Sequence, residues 1–280
     1  MKKVFLFGSG ISRSISPAIH NKAFRELGLN MEYELKDVPT SNFRSALDEL
    51  ASGKDIVGFN VTIPFKERVL PMMSHLEQYA KEVGAVNVVT FTRKREMIGY
   101  NTDVDGVVAS LSKLGLVERT GQKAVVLGAG GASRACVYAL LISGFDHVKI
   151  LNRTKAKAAD VAGVFKLQFP DKTLEYSELT RESLEQSHLE DVNLLVNTIP
   201  FSVYFPFDVK FGLASRETKY FDLNYRSDLP MIKEAKKAGL VTIDGLLMLV
   251  EQAARSFEIW TGISAPRKTM LLTAKKGAHH

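Results

Sequence analysis

The sequence predicts an α/β protein of two domains, the first built on a mixed sheet and the second on a doubly wound parallel sheet. The chain has 280 residues, which suits two compact cores better than one. Apolar residues make up 45% of it and charged residues 24%, as in ordinary globular proteins. After about residue 123, short apolar runs alternate with helical patterns, which is typical of a parallel sheet covered by helices, whereas the first hundred residues end in a hairpin pattern.

The first domain opens with alternating strand and helix patterns. An apolar run begins the chain, and Ser16 and Pro17 then form an N-cap and first-turn pair for a helix that Gly28 closes. A second strand around Tyr33 and a helix from about Ser41 follow. We therefore expect parallel strand pairs in this part of the sheet.

The stretch from residue 56 to residue 67 is the centre of this domain. Its apolar positions predict a buried third strand, with Asn60 and Thr62 on the opposite face. These apolar positions are Ile56, Val57, Phe59, Val61 and Ile63. Pro64 ends the strand in this interpretation, and residues 65–67 open a short helix, because proline suits a first helical turn. Lys66 is then placed at the mouth of the sheet, where it can face a ligand.

The remaining patterns complete two domains and a C-terminal helical part. A helix over 75–83 precedes a hairpin of runs 86–91 and 97–100, and Asn101, Thr102 and Asp103 then cap a helix. The expected strands of the second domain are 124–127, 148–151, 194–196, 220–223 and 241–243, with helices at 132–142, 154–162 and after Pro230. An amphipathic helix at 246–260 is expected to return to the first domain. The expected domains are therefore 1–102, 103–244 and 245–280.

Composition restricts the partners to small molecules. The net charge of +6 admits an anionic ligand, but the lysines are interleaved with acids and form no block, which disfavours nucleic acid. The single cysteine, Cys136, excludes an internal disulfide, and no cluster has zinc-ligand spacing. No apolar stretch is long enough for a membrane span and the start lacks a signal-peptide pattern. We expect a cytoplasmic protein without a metal, either a monomer or a homodimer.

A glycine-rich turn indicates a dinucleotide site in a Rossmann-like second domain. The turn follows an apolar strand and opens a helix, which is the context that the dinucleotide fingerprint requires. Its residues are Gly128, Ala129, Gly130, Gly131 and Ala132, followed by Ser133 where glycine or alanine is more usual. The alternative interpretation is a glycine-rich turn that binds nothing.

The tip of the next strand favours NADP over NAD. NAD sites carry an acid about 20 residues beyond the glycines, whereas NADP sites carry a cation for the 2′-phosphate. Here Asn152, Arg153 and Thr154 stand at the tip, with Lys157 shortly after. A guanidinium suits a phosphate dianion, so the expected cofactor is NADP; the alternative is a solvated arginine before a helix.

Hydroxyl and amide side chains in the first domain favour a polyhydroxylated small molecule. Such a ligand needs both donors and acceptors in fixed positions. The cluster consists of Ser14, Ser16, Asn60, Thr62, Asn87, Asn101 and Asp103. Each of these residues has an ordinary structural explanation as a cap or turn, and a single lysine such as Lys66 is by itself most often a surface residue. The inference therefore rests on their joint placement.

A series of motifs follows in one order from Ser14 to about Gly262. The motifs are Ser14-Ile15-Ser16-Pro17 with Ile19-His20-Asn21, Gly58-Phe59-Asn60-Val61-Thr62-Ile63-Pro64-Phe65-Lys66, Gly84-Ala85-Val86-Asn87, Gly99-Tyr100-Asn101-Thr102-Asp103, the glycine-rich turn, Asn152-Arg153-Thr154, and Asp244-Gly245 with Met248-Leu249-Val250-Glu251-Gln252-Ala253. In these motifs and in their order, the chain resembles the shikimate dehydrogenase family. The resemblance implies NADPH-dependent reduction of 3-dehydroshikimate to shikimate, and the reverse reaction, in aromatic amino acid biosynthesis.

The resemblance also implies roles for individual residues. Lys66 and Asp103 match the catalytic pair of the family. Ser14 and Ser16 match its carboxylate ligands, with Tyr225 nearby. The other implied ring-side and cofactor residues are Asn60, Thr62, Asn87 and Gln252 for the substrate, and Thr198, Gly245 and Met248 beside the turn and strand tip for NADP.

Three segments depart from the family pattern. The family commonly has Asn-Ala-Thr-Pro-Leu-Gly-Met where this chain has Asn197-Thr198-Ile199-Pro200-Phe201-Ser202-Val203. Arg226-Ser227 replaces the Asn-Pro that usually follows the tyrosine, and Arg13 stands where histidine is frequent. The departures leave the proposed catalytic pair unchanged.

Ketone reduction needs a proton delivered to oxygen, and Lys66 is the expected donor. Burial would favour its neutral amine and Asp103 its ammonium, so we expect Asp103 chiefly to position the lysine and bind a ring hydroxyl. Three alternatives remain: a quinate/shikimate dehydrogenase that tolerates NAD, a non-catalytic NADPH-binding regulator, and a tetrahydrofolate-type dehydrogenase. Arg153 and Thr154 disfavour the first, the Lys66–Asp103 pair the second and the small hydroxyl and amide cluster the third.

Overall fold

The computed structural model describes residues 1–201, 209–225 and 229–278 and divides the chain into two compact units. Unit 1 comprises Met1–Gly106 and Leu249–His280, and unit 2 comprises Val107–Met248. The expected boundaries, after 102 and 244, each lie four residues before the observed ones, after 106 and 248. The difference arises because the helices that begin at Asp103 and Leu246 start in one unit and continue in the other.

The elements alternate between strand and helix along most of the chain. The strands are β1 (Lys2–Gly8), β2 (Met31–Asp37), β3 (Ile56–Val61), β4 (His75–Leu76), β5 (Val88–Phe91), β6 (Met97–Tyr100), β7 (Gln122–Leu127), β8 (Phe145–Asn152), β9 (Thr173–Glu178), β10 (Leu194–Asn197), β11 (Lys219–Asp222) and β12 (Val241–Ile243). The helices are α1 (Ser16–Glu26), α2 (Phe43–Ser52), α3 (Gln78–Val83), α4 (Asp103–Lys113), α5 (Gly131–Ile142), α6 (Lys155–Gln168), α7 (Arg181–Glu185), α8 (Pro230–Lys237), α9 (Leu246–Thr261) and α10 (Arg267–Ala278). In the described part of the chain, every helix is too short or too polar to cross a membrane.

Unit 1 contains a mixed sheet with the strand order β2-β1-β3-β5-β6-β4. Strand β1 pairs in parallel with β2 and β3, and β5 and β6 form an antiparallel hairpin. The predicted mixed sheet, with parallel pairs first and a hairpin late, is confirmed. One face is covered by an aromatic layer in which the ring centroid of Phe7 lies 4.8 Å from that of Phe65 and 5.7 Å from that of Phe43 on α2.

Helix α9 is held against the same sheet by Trp260. Its indole Nε1 donates to the Val89 carbonyl at 3.1 Å. A Cβ at Gly58 would collide with this indole, so the close approach of α9 to β3 requires glycine there. Side chains on the inner face of α9 therefore reach the sheet that carries Asn60.

The segment after β3 differs from the sequence-based prediction. The strand ends at Val61, and Ile63 is 55% exposed rather than buried. The Ile63–Pro64 peptide is cis, and residues 66–68 form a turn where a helix was expected to begin at 65–67. The reason is that the Lys66 carbonyl accepts the Val86 N–H at 2.9 Å, so it is tied to another segment and not to a helical turn.

Two other local expectations in unit 1 were wrong. Ser16 is the first residue of α1 and Ile15 occupies the N-cap, because the Ser16 hydroxyl contacts Ser14 instead of capping the helix. His75 lies in a short strand and not in a helix, since β4 pairs with β6 at Ile98 and Gly99. Helix α3 begins only at Gln78.

Unit 2 contains a parallel sheet with the strand order β12-β11-β10-β7-β8-β9. All of its pairs are parallel, which confirms the predicted doubly wound sheet. Strand β9 and helix α7 were not predicted, because the edge strand β9 is largely polar and partly exposed and gives no apolar run. The sheet order reverses at β7, which lies between β8 and β10, and ligands of such sheets bind where the order reverses.

Candidate active site

Lys66 and Asp103 are brought together in unit 1. Lys66 Nζ donates to Asp103 Oδ2 at 2.5 Å, and the two side chains are 15% and 6% exposed. An ammonium has three donors, and Asp103 is the one partner of Nζ that we find among the described residues. Two donors are therefore left for a ligand oxygen.

Asp103 is held in place by two asparagines. It is the first residue of α4, where the positive end of the helix dipole favours a carboxylate. Asn87 Nδ2 donates to Asp103 Oδ1 at 2.9 Å, and the Asp103 backbone N–H donates to Asn101 Oδ1 at 3.1 Å. The Thr102 backbone N–H in turn donates to Asn87 Oδ1 at 2.7 Å. Both carboxylate oxygens of Asp103 are thus bound and its orientation is fixed.

Ser14 and Ser16 lie together at the junction between the loop after β1 and α1. Ser14 Oγ donates to Ser16 Oγ at 3.2 Å. Asp37, at the end of β2, accepts the backbone N–H groups of Gly10 and Ile11 at 2.8 Å and 3.0 Å. Such charge-assisted bonds are strong, so Asp37 anchors the loop that presents the two hydroxyls.

Asn60 is buried and almost fully hydrogen-bonded. Its Oδ1 accepts the Tyr33 hydroxyl at 2.7 Å, and its Nδ2 donates to the Asn87 carbonyl at 3.0 Å and to Ser256 Oγ at 3.1 Å. Both donors of the amide are used, so Asn60 can offer a ligand only the second lone pair of Oδ1. Thr62 follows β3, is partly exposed, and donates its backbone N–H to the Phe7 carbonyl at 2.9 Å.

The other two predicted substrate residues fall in different parts of the chain. Gln252 is partly buried on α9, where its Nε2 donates to the Leu249 carbonyl at 2.9 Å. Tyr225 follows β11, is partly buried, and belongs to unit 2. The other predicted substrate residues and the catalytic pair all belong to unit 1.

A stacked aromatic pair lies next to Asn60. The His20 and Tyr33 rings stack in parallel with centroids 4.4 Å apart. Burial lowers the pKa of His20 to about 3, so its imidazole is neutral at physiological pH. Burial raises the pKa of Tyr33 well above its ordinary value, and a hydrogen bond from the Ser16 side chain partly opposes this. The layer is therefore uncharged at neutral pH.

In unit 2 the glycine-rich turn joins β7 to α5. Gly128 has a φ of +108°, a conformation that favours glycine, and a Cβ there would collide with Thr198 Oγ1. Gly130 is the N-cap of α5, and we see no side chain among the described residues that caps this helix, so its first N–H groups are available to a phosphate. Ser133 is buried and donates to the Gly128 carbonyl at 2.7 Å, which accounts for serine in a position where glycine or alanine is usual.

The strand tip after β8 presents cations to solvent. Asn152 ends β8, Thr154 is the N-cap of α6, and Arg153, Thr154 and Lys157 are exposed. Asn152 Nδ2 donates to the Thr154 carbonyl at 3.0 Å, which fixes the turn. Within the described ranges neither Arg153 nor Lys157 has an ion-pair partner, so both are available to an anionic group.

The remaining predicted cofactor residues follow other strands of the same sheet. Thr198, after β10, donates its hydroxyl to the Leu127 carbonyl at 2.7 Å. Gly245, after β12, lies so close to the Leu223 carbonyl that a Cβ would overlap it, and Met248 is buried on α9. Because all strands of this sheet are parallel, the ends of β7, β8, β10 and β12 lie at one edge. The structure thus gathers the whole predicted cofactor set in unit 2.

Comparison with known proteins identifies the family. Family profiles match residues 6–89 (Shikimate dehydrogenase substrate binding domain), 110–195 (Shikimate / quinate 5-dehydrogenase) and 245–271 (Shikimate 5'-dehydrogenase C-terminal domain). The chain is 38% identical to the shikimate dehydrogenase (NADP(+)) of Methanopyrus kandleri over 95% of this chain and 92% of that protein. The chain belongs to the shikimate dehydrogenase family.

Solved structures of the shikimate dehydrogenase family share the fold throughout the chain. A shikimate dehydrogenase crystallised with NADP+ matches with a TM-score of 0.87 and 30% identity, covering 100% of this chain and 96% of that one. The shikimate 5-dehydrogenase of Thermus thermophilus, crystallised with NADP(H) and shikimate, matches with a TM-score of 0.83 and 31% identity, covering 99% and 100% of the two chains. The resemblance noted from the motifs is thereby confirmed.

The chain departs from the shikimate dehydrogenase family pattern at several positions. Among these, Ser202, Val203 and the pair Arg226-Ser227 lie outside the described residues. Before them, Phe201 is 46% exposed and its backbone N–H donates to Asn224 Oδ1 at 2.9 Å. Arg13 is exposed beside Ser14.

Three residues that hold site residues in place, Tyr33, Asp37 and Ser256, were not identified from the sequence. The sequence pattern identifies Tyr33 only as a strand residue and assigns no role to Asp37 or Ser256. Ser256 could have been found, because it lies one helical turn after Gln252 on the otherwise apolar inner face of α9. The role of Tyr33 depends on a side-chain contact between β2 and β3 across the intervening strand β1, which no local pattern shows.

Proposed function

We propose that the chain catalyses the NADPH-dependent reduction of 3-dehydroshikimate to shikimate, and the reverse reaction, in aromatic amino acid biosynthesis. The observation that carries the proposal is the Lys66–Asp103 pair at 2.5 Å, held among hydroxyl and amide groups in a unit that matches the substrate-binding domain of the family. The Methanopyrus kandleri relative bears the name of this activity.

The side chains of unit 2 fit NADP. The free first-turn N–H groups of α5 suit a pyrophosphate, and Gly130, where a Cβ would meet open space, leaves room for it beside the turn. Arg153 and Lys157, both exposed and without a carboxylate partner among the described residues, suit the 2′-phosphate, and Thr154 can add a hydrogen bond. Thr198, Gly245 and Met248 complete the proposed site. When bound, NADPH supplies the hydride.

Lys66 acts on the oxygen of the reacting carbon. In the direction of reduction its ammonium donates a hydrogen bond and then a proton to the developing alkoxide; in the reverse direction its amine accepts the hydroxyl proton. Asp103 Oδ2 fixes the position of Nζ, and the bond from Asn87 fixes Asp103. Asp103 is also proposed to accept a hydrogen bond from a neighbouring ring hydroxyl.

The other groups bind and orient the substrate. The Ser14 and Ser16 hydroxyls donate to the substrate carboxylate. This assignment leaves Lys66, the one cation among the proposed substrate-site residues, to act on the reacting oxygen. Thr62, Asn87 and Gln252 bind ring hydroxyls, together with the free lone pair of Asn60. Tyr225 is proposed to lie near the carboxylate.

The proposed setting is the cytoplasm, with a small-molecule substrate and neither nucleic acid nor membrane as a partner. The interleaved charges of the sequence support this setting. We propose a monomer or a homodimer, which sedimentation of the purified chain distinguishes.

One spectrophotometric assay tests the function. NADPH oxidation is measured with 3-dehydroshikimate, and the assay is repeated with NADH in place of NADPH. The reverse reaction is measured with shikimate or quinate. We expect rapid turnover with NADPH and shikimate-type substrates. A preference for NADH or quinate would instead support the quinate/shikimate enzyme that tolerates NAD. NADPH binding without any turnover would support a non-catalytic regulator.

A further inference from the structure

A buried tyrosine supports one residue of the substrate site. Tyr33 lies in β2, is 1% exposed, and donates its hydroxyl to Asn60 Oδ1 at 2.7 Å. Tyr33 therefore touches a residue beside the ring, while it is itself too deeply buried to contact a ligand.

The direction of these hydrogen bonds is determined by the Asn60 amide. A backbone carbonyl only accepts, so the bond to the Asn87 carbonyl requires that the Nδ2 end of Asn60 face it. Oδ1 must then face Tyr33, and the tyrosine hydroxyl has to be the donor. The Nδ2 end of Asn60 also donates to Ser256 Oγ at 3.1 Å, so the amide is held at both ends.

The ring of Tyr33 cannot move easily. His20 stacks on it at 4.4 Å with an interplanar angle of 1°, and Trp260 lies with its ring centroid 6.1 Å away. Trp260 is itself fixed by its bond to Val89. The hydroxyl is therefore held in a fixed position beside Asn60 on β3.

We propose that Tyr33 is a positioning residue that holds the ring-side amide of Asn60 in place for the substrate. This inference rests on the proposed function, which assigns Asn60 to the substrate ring. The bond from Tyr33 fixes Oδ1 of Asn60 and leaves its second lone pair for a ring hydroxyl. Tyr33 thus contributes to substrate affinity and leaves the chemical step at Lys66 unchanged.

The test is Tyr33→Phe, which removes one oxygen and keeps the stacked ring. We expect the KM for shikimate to rise about tenfold, because one buried hydrogen bond and the order it imposes are lost. The kcat should stay within about twofold and the KM for NADP should not change. In a double-mutant cycle with Asn60→Ala, the two losses should be clearly less than additive, because both variants remove the same hydrogen bond.

The matched control is Tyr220→Phe in unit 2. The Tyr220 hydroxyl is also buried and also donates at 2.7 Å to a side-chain oxygen, that of Asp222. This variant should lower the melting temperature in the same way as Tyr33→Phe but leave the KM for shikimate unchanged. A merely structural role of Tyr33 would make the two variants alike in both readouts.

The outcomes separate this inference from the proposed function. If the parent is active and Tyr33→Phe keeps its KM for shikimate, or if its loss adds fully to that of Asn60→Ala, the positioning role is wrong and the function stands. If the parent neither turns over nor binds shikimate in a calorimeter, both are overturned. If the parent binds without turnover, the shikimate dissociation constants of parent and variant decide the positioning role.

Discussion

The stability of unit 1 should fall at acidic pH because of His20. Its side chain is fully buried, and neither ring nitrogen has a hydrogen-bond partner in the described part of the chain. Burial lowers its pKa from 6.5 to about 3. Between these values the unfolded chain binds a proton that the folded chain excludes, so the contribution of His20 is fully present above about pH 6.5 and is lost as the pH falls.

The magnitude follows from the size of the shift. At about pH 5 the pKa of the imidazole in the unfolded chain lies about 1.5 units above the solution pH, and each unit is worth about 1.36 kcal/mol. The free energy of unfolding should therefore fall by about 2 kcal/mol from this residue alone between about pH 7.5 and pH 5. His20→Phe keeps a ring against Tyr33 and removes the titrating group. The difference between variant and parent should accordingly grow by about 2 kcal/mol over that range.

The assay is urea unfolding followed by tryptophan fluorescence at several pH values. The chain has a single tryptophan, Trp260, whose ring centroid lies 5.5 Å from that of His20, so the signal reports on unit 1. Ile19→Val, a neighbouring buried change without a titrating group, should lower stability by about 1 kcal/mol at every pH. Parallel stability curves for His20→Phe and the parent would refute the reasoning.

Two further predictions concern the proposed sites. Asp103→Asn should lower kcat about a hundredfold and raise the KM for shikimate, because the neutral amide no longer fixes the Lys66 ammonium; weaker binding with normal turnover at saturation would show that Asp103 only binds substrate. Arg153→Gln should raise the KM for NADP at least tenfold and leave that for NAD nearly unchanged, since a charge-assisted bond to the 2′-phosphate is lost. For this change the control is Arg216→Gln, an exposed arginine that precedes β11 at the other edge of the sheet, and an equal effect of both would mean that Arg153 acts through net charge alone.

The sequence was sufficient to predict the fold class because its signals are local. The alternation of apolar runs and helical patterns predicted the parallel sheet of unit 2, and the two runs at 86–91 and 97–100 predicted the hairpin of β5 and β6. The glycine-rich turn was also predictable, because Gly128 is required by its own backbone conformation and by the contact with Thr198.

The errors occurred where contacts distant in sequence decide the structure. Residues 65–67 carry a helix-start pattern after Pro64, but the bond from Val86 to the Lys66 carbonyl overrides it. Strand β9 is recognisable only from its pairing with β8. The support that Tyr33 gives to Asn60 arises because β1 lies between β2 and β3. Periodicity along the chain contains no information about such neighbours.

The central claim is that Lys66 transfers the proton in an NADP-dependent shikimate dehydrogenase. The most direct measurement compares the parent with Lys66→Ala, using NADP+ reduction by shikimate for turnover and calorimetry for shikimate binding. We predict that turnover falls by about a hundredfold to ten-thousandfold while shikimate still binds within a few-fold of the parent. Near-normal turnover of Lys66→Ala would contradict the account.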